Sequence, residues 1–140
     1  MRPADRPYPG DVVPDRADAE FWAACREGRL LVFQCGRCKR ALWPAGACPD
    51  HGIVDMSWIE AEGRGTVLTW TVVHQRYPSS FADTPQTVAV VRLSEGAVLH
   101  AALIGPPATA AAVEVRFTDI GDEVVVPEFV VMESSTGMGR

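Results

Sequence analysis

What the chain lacks narrows its possible functions before any motif is read. No apolar run approaches the ~20 residues that a membrane-spanning helix requires. The opening Met1-Arg-Pro-Ala-Asp-Arg-Pro-Tyr-Pro-Gly10 is rich in proline and charge and has no apolar centre, unlike a secretory signal. Positive charge is scarce: the formal net charge is −5 and the pI is near 5.1. That balance argues against a broad phosphate-binding surface for nucleic acid. There is no nucleophile elbow, no His-Asp pairing near a Ser, no glycine-rich phosphate loop and no pair of carboxylates at motif spacing. These absences predict a soluble chain with no catalytic set of its own. With 140 residues, 47% apolar and 22% charged, the composition is that of one globular unit or two small ones sharing an interface.

What is present centres on Cys35 to His51. Cys35-Gly-Arg-Cys38 is followed by nine residues and then by Cys48-Pro-Asp-His51-Gly52. Two ligands three positions apart in a tight turn can face one ion, and a link of this length can fold a hairpin that sets the second turn opposite the first. Three thiolates and an imidazole suit zinc at the corners of a tetrahedron. The predicted ligands are therefore Cys35, Cys38, Cys48 and His51, holding a structural Zn2+ with no open position for water. Other readings of the same residues are a metal-free ribbon, a disulfide framework and a C-x-x-C redox pair. The last lacks a βαβ context and leaves the second knuckle unexplained. The remaining imidazoles, His74 and His100, lie in strand-like patterns far along the chain. Reduced thiols and zinc together predict a cytoplasmic location.

Residues 1–16, with four prolines, read as an extended arm. From about Ala17 the pattern predicts a helix of about three turns, capped by Asp15 or Asp18 and stopped at Gly28, with Phe21, Trp22 and Cys25 on one face. Cys25 is then a buried apolar side chain and not a fifth ligand. Leu30–Gln34 and Ala41–Trp43 form the hairpin of a zinc ribbon, so that residues 17–55 make helix plus ribbon. Residues 56–132 read as a small barrel. Its strands begin at Met56–Glu60 and continue, after a turn at Gly63–Gly65, with Thr66–His74, Thr87–Leu93 and Ala97–Ile104. Ala110–Phe117 is helix or strand by propensity, and the alternation of Val-Glu-Val-Arg-Phe favours strand. A turn at Asp119–Asp122 leads to Glu123–Val131, in which Pro127 requires an edge or a bulge. Residues 76–86 form a loop whose Tyr77 and Phe81 are plugs against the barrel or contacts for a ligand or partner. Residues 133–140 read as a mobile tail. The expected fold is mainly β: an N-terminal helix, a rubredoxin-like zinc ribbon and an OB-fold barrel.

Phe21-Trp22, Gly28-Arg-Leu-Leu, Cys35-x-x-Cys38, Trp43-Pro44, Cys48-Pro49-x-His51-Gly52, Gly63-Arg-Gly65-Thr66-Val67 and Phe81-Ala82-Asp83 come in an order that resembles a known family. That family, long filed as a domain of unknown function, joins an N-terminal rubredoxin-like zinc ribbon to a C-terminal acyl-CoA-associated OB fold. The likeness spans about residues 17 to 131. Two departures stand out. His51 replaces the usual fourth Cys, adding pH sensitivity because imidazole must be neutral to bind metal, and Lys39 stands where Gly is common. The resemblance implies an accessory subunit that braces a thiolase-like or lipid-transfer-type enzyme and helps hold a coenzyme A thioester. The partner would carry Claisen condensation, thiolysis or aldol cleavage. It also implies phosphate contacts, for which Arg64, Arg76, Arg92 and Arg116 are candidates, although a strand arginine is commonly a solvated face. Arg76, Tyr77 and Phe81 are the candidate acyl-CoA or partner contacts. The alternatives are a nucleic-acid-binding OB and zinc-ribbon module and a stand-alone acyl-thioester enzyme.

Overall fold

The structure, a computed structural model, describes residues 18–74, 85–121 and 124–132. The arm, the tail and Arg76, Tyr77 and Phe81 lie outside the described residues. The elements run α1 (Ala19–Arg26), β1 (Leu31–Cys35), β2 (Ala41–Leu42), β3 (Met56–Glu60), β4 (Arg64–Val73), β5 (Gln86–Leu93), β6 (Val98–Ile104), β7 (Ala112–Gly121) and β8 (Val124–Val131). The chain is mainly β, as the alternating β-branched runs predict.

Helix α1 has eight residues, about two turns and not the expected three. Asp18 already stands at the N-cap, its carbonyl accepting from the Trp22 amide at 3.2 Å. At the other end the amides of Gly28 and Arg29 reach back to the carbonyls of Cys25 and Ala24 at 3.0 and 2.9 Å. This double closure needs a left-handed residue, and Gly28 supplies it at φ +77°. The helix buries Phe21, Ala24 and Cys25, the i, i+3, i+4 face.

Strands β2-β1-β3 form a three-stranded antiparallel sheet, with Phe33 opposite both Leu42 and Trp58. Met56–Glu60, read from sequence as the start of the barrel, is the third strand of this ribbon sheet. Alternation identifies a strand but does not name its partner. Phe21 joins helix to ribbon, its ring 4.8 Å from Trp22, 5.2 Å from Trp43 and 6.3 Å from Trp58. Such tilted and edge-on aromatic contacts are favourable beyond the area they bury.

The remaining strands close a five-stranded barrel in the order β4-β5-β6-β8-β7, with β7 returning to β4 and only β6–β8 parallel. This is an OB-fold barrel. Val67, Ala89, Val91, Leu93, Leu99, Leu103, Val113 and Phe129 fill it. The same core continues through Phe21, Cys25, Leu30, Leu31 and Val32, so helix and ribbon base rest on the barrel. Two expected turns give way in part to strand. β4 begins at Arg64, because the Val115 amide already bonds the Gly63 carbonyl at 2.7 Å. β7 runs on to Gly121 and absorbs Ile120 as an irregularity between Asp119 and Gly121. Ala112–Phe117 is strand, as its alternation indicates. Pro127 pairs with Phe117 on the β7 side, and β6 joins β8 only from Phe129 onward, so no ladder bond on the far side is forfeited.

Candidate metal centre

The two knuckles are built by short backbone bonds. Cys35 ends β1 and receives a bond from the Lys39 amide at 2.9 Å, while its own amide bonds the Arg40 carbonyl at 2.9 Å. The chain thus reverses through Cys38 into β2. Lys39 takes φ +66°, the left-handed region that favours glycine. In the second knuckle Cys48 and Gly52 bond each other in both directions, at 3.0 and 2.9 Å, and Gly52 lies at φ +69°. The Gly36 amide then bonds the Asp55 carbonyl at 2.8 Å, and Cys35 pairs with Met56, which ties the second knuckle to the first.

As a result Cys35, Cys38, Cys48 and His51 converge, with all four ligand atoms within 4.8 Å of one another. The Nδ1 atom of His51 lies 3.5 Å from Cys35 Sγ and 3.6 Å from Cys48 Sγ, and Cys38 Sγ lies 3.6 Å from Cys48 Sγ. A tetrahedral ion with metal–sulfur bonds of about 2.3 Å has sulfur–sulfur edges of about 3.8 Å. The donors therefore fit one four-coordinate ion. That Nδ1 is the nitrogen turned inward was not legible in the spacing.

The thiols are held unevenly. Burial pushes Cys48 up, but the Asp50 amide, the Cys38 thiol and the amide and ring of His51 outweigh it and lower the thiol to about 6. Cys38 moves the other way. The Arg40 amide pulls it down, but burial and the neighbouring Cys48 and Cys35 sulfurs leave it raised. One negative charge among close sulfurs makes the next costly, and a central cation removes that cost. Arg40 pairs with Asp50 at 3.4 Å and Arg37 with Asp55 at 3.6 Å on the exposed rim. Such pairs contribute at most ~1 kcal/mol each. Four protein ligands around one ion would leave no open position for substrate, which is the arrangement of a structural site. Cys25 is not part of it: it is 1% exposed in the helix–barrel core, and burial raises its thiol to about 12.

Of the remaining candidates, His74 and His100 are exposed and outside the cluster. Arg64 pairs with Glu114 at 3.4 Å and Arg116 with Glu128 at 3.6 Å, whereas Arg92 on β5 has no charged partner among the described residues. Sequence reading passed over Ile53 and Val54, which stand 61% and 88% exposed at the tip of the second knuckle. Two adjacent β-branched residues directly after a ligand turn were the available signal.

A family model described as ChsH2, C-terminal OB-fold domain, matches residues 58–127, half of the chain. The chain belongs to the ChsH2 C-terminal OB-fold family. Among curated relatives, a protein of Thermomonospora curvata named as a probable enoyl-CoA hydratase alpha subunit is 37% identical over 90 residues, covering 63% of this chain. A DUF35 domain-containing scaffold protein of Pyrococcus furiosus is 34% identical over 89 residues, covering 61% of this chain. The matches span 28% and 63% of the lengths of those two relatives. Among solved structures, a chain of an Ltp2-ChsH2(DUF35) aldolase superposes with a TM-score of 0.75 at 28% identity, covering 86% of this chain and 98% of that one. A DUF35 protein of unknown function from Sulfolobus solfataricus shares the fold, with a TM-score of 0.59 at 16% identity over 84% of this chain and 86% of that one.

Proposed function

We propose that this ChsH2-family chain is a non-catalytic accessory subunit that docks on a thiolase-like or lipid-transfer-type enzyme and helps position an acyl-CoA thioester. The observation that carries the reading is the likeness to the ChsH2 component of a two-protein aldolase, which extends over 98% of that chain. The name of the scaffold relative and the coenzyme A thioester in the name of the hydratase relative point the same way. The site chemistry agrees. A centre with four protein ligands has no position for a reacting group, and three thiolates with one imidazole select zinc as the ion. Zinc in this role holds the knuckles in register for docking, while the bond-making residues belong to the partner. Arg92, with Arg76, Tyr77 and Phe81, is where we place contacts to the thioester or to the partner. The test is co-expression with thiolase-fold enzymes from the same genome, followed by pull-down and a thioester assay. A stable complex is expected, with turnover that disappears when either chain is withheld. Turnover by this chain alone, or no complex with any such enzyme, overturns the reading.

A further inference from the structure

Strand β4 is ten residues long, yet β7 covers only its first part. The pairing runs from Arg64 to Thr66, and Val67 makes the last bonds, to Ala110 and Ala111. β5 accompanies β4 on the other side as far as Val73. From Thr69 to Val73, then, one edge of β4 faces no strand among the described residues. Proteins blunt such edges with charge, proline or bulges. Val67-Leu-Thr-Trp-Thr-Val-Val73 has no charged residue and no proline, and its one irregularity, at Leu68, lies at the root of the free part. The barrel has three exposed large apolar side chains among the described residues, and two of them, Trp70 at 37% and Val72 at 43%, are on this edge. Both lie on one face of the strand, because Trp70 pairs with the inward-facing Ala89 and Val72 follows two residues on.

We propose that this edge pairs with the same edge of a second copy of the chain, antiparallel about Thr71. Of the symmetric registers, this one sets Trp70 against Val72 of the second copy and Val72 against its Trp70, so both exposed apolar side chains are covered at once. Aromatic with β-branched is a favourable cross-strand pair. Thr71 then faces Thr71, and no charge meets a like charge. Self-matching favours a second copy over an unrelated strand: one edge supplies both Trp70 and Val72, and, being uncharged, it is the part of the surface where two chains each carrying −5 meet least repulsion. A closed two-fold contact uses the edge once per copy and does not propagate into fibres. The area is small, well under the ~800 Å² per partner of standard interfaces, so the dimer is weak and concentration-dependent.

The experiment is sedimentation equilibrium of the metal-loaded full chain from low micromolar to several hundred micromolar, with two variants. The wild type should shift from monomer to dimer. Trp70→Lys should weaken association at least tenfold while the dilute variant keeps a cooperative melting transition. Thr71→Cys should form a disulfide-linked dimer under mild oxidation, because paired Cα atoms across an antiparallel ladder lie about 4.5–5.5 Å apart, within disulfide reach. Thr66→Cys, on the β7-covered part of the strand, and the wild type should not. A chain that stays monomeric at every concentration, a Trp70→Lys variant that associates as well as wild type, or Thr71→Cys linking no faster than Thr66→Cys each overturns the proposal. Binding of the edge to the catalytic subunit alone would appear as the first of these.

Discussion

The ribbon and the barrel solve the same problem by different means. The barrel uses strands of seven to ten residues around an apolar interior in which Val67, Val91, Leu99, Val113 and Phe129 are at most 2% exposed. The distal ribbon has strands of five, two and five residues, and its own buried cluster is Cys35, Cys48 and Met56, with Phe33 and Leu42 against it. Two of those three buried residues belong to the candidate metal cluster. A structure this small buries too little apolar surface to offset chain entropy, and an ion held by the cluster would substitute for the missing core. The comparison teaches where each half is vulnerable: one to a chelator, the other to a cavity.

The largest test removes a ligand. Cys35→Ser should abolish the expected one zinc per chain and melt the knuckles, since structural zinc contributes on the order of 10–16 kcal/mol in small ribbon-like units. Metal analysis and near-UV dichroism from Trp43 and Trp58 should show the loss while far-UV β signal from the barrel persists. Collapse of both signals together would break the distinction between the halves. Phe129→Ala attacks the other half. A fully buried phenyl ring truncated to methyl should destabilise by about 3–5 kcal/mol, read by denaturant titration, with metal content unchanged.

A third test probes Cys25, which lies where the helix meets the barrel core. Its thiol, raised by burial to about 12, stays neutral in the folded chain, whereas in the unfolded chain it ionises near pH 8.5–9. Below that range neither state is charged and nothing is lost. From about pH 9 to 12 the unfolded state is increasingly favoured, so the melting temperature should fall across that window. Cys25→Ala should flatten the fall with little effect at pH 7 beyond a small cavity cost. The smallest effect is at the first knuckle. Lys39→Gly relieves a left-handed Lys at φ +66° and should stabilise by no more than about 1 kcal/mol, visible as a slight rise in the ribbon transition.

Much of this was legible in the primary structure because the signals are local. Cys35-x-x-Cys38 and Cys48-x-x-His51 state their own geometry, since three-residue spacing in a turn leaves few ways to direct two side chains. Phe21 and Cys25 on the buried helix face and the strands Thr66–His74 and Thr87–Leu93 follow from periodicity, whereas Ala24 and not the expected Trp22 completes that face. The errors came where a neighbour decides. Met56–Glu60 has the alternation of a strand for either sheet, and only pairing with β1 from Leu31 to Cys35 assigns it to the ribbon. Asp119–Asp122 carries turn residues, but pairing with β8 carries β7 through Asp119 to Gly121. Arg76, Tyr77 and Phe81 were chosen because aromatic and cationic residues in a proline-bearing loop fit a contact site, and they lie outside the described residues.

By itself, the order of residues determined which four side chains, Cys35, Cys38, Cys48 and His51, form the cluster, and the mainly β character, because each depends on residue type at short spacing. Tertiary structure alone decided that His51 turns Nδ1 to the sulfurs, that β3 belongs to the ribbon, and that β4 outruns β7 among the described residues, with Trp70 and Val72 exposed. Those outcomes depend on which distant segments meet and where their pairing stops, and no short window of sequence contains both sides of such a contact.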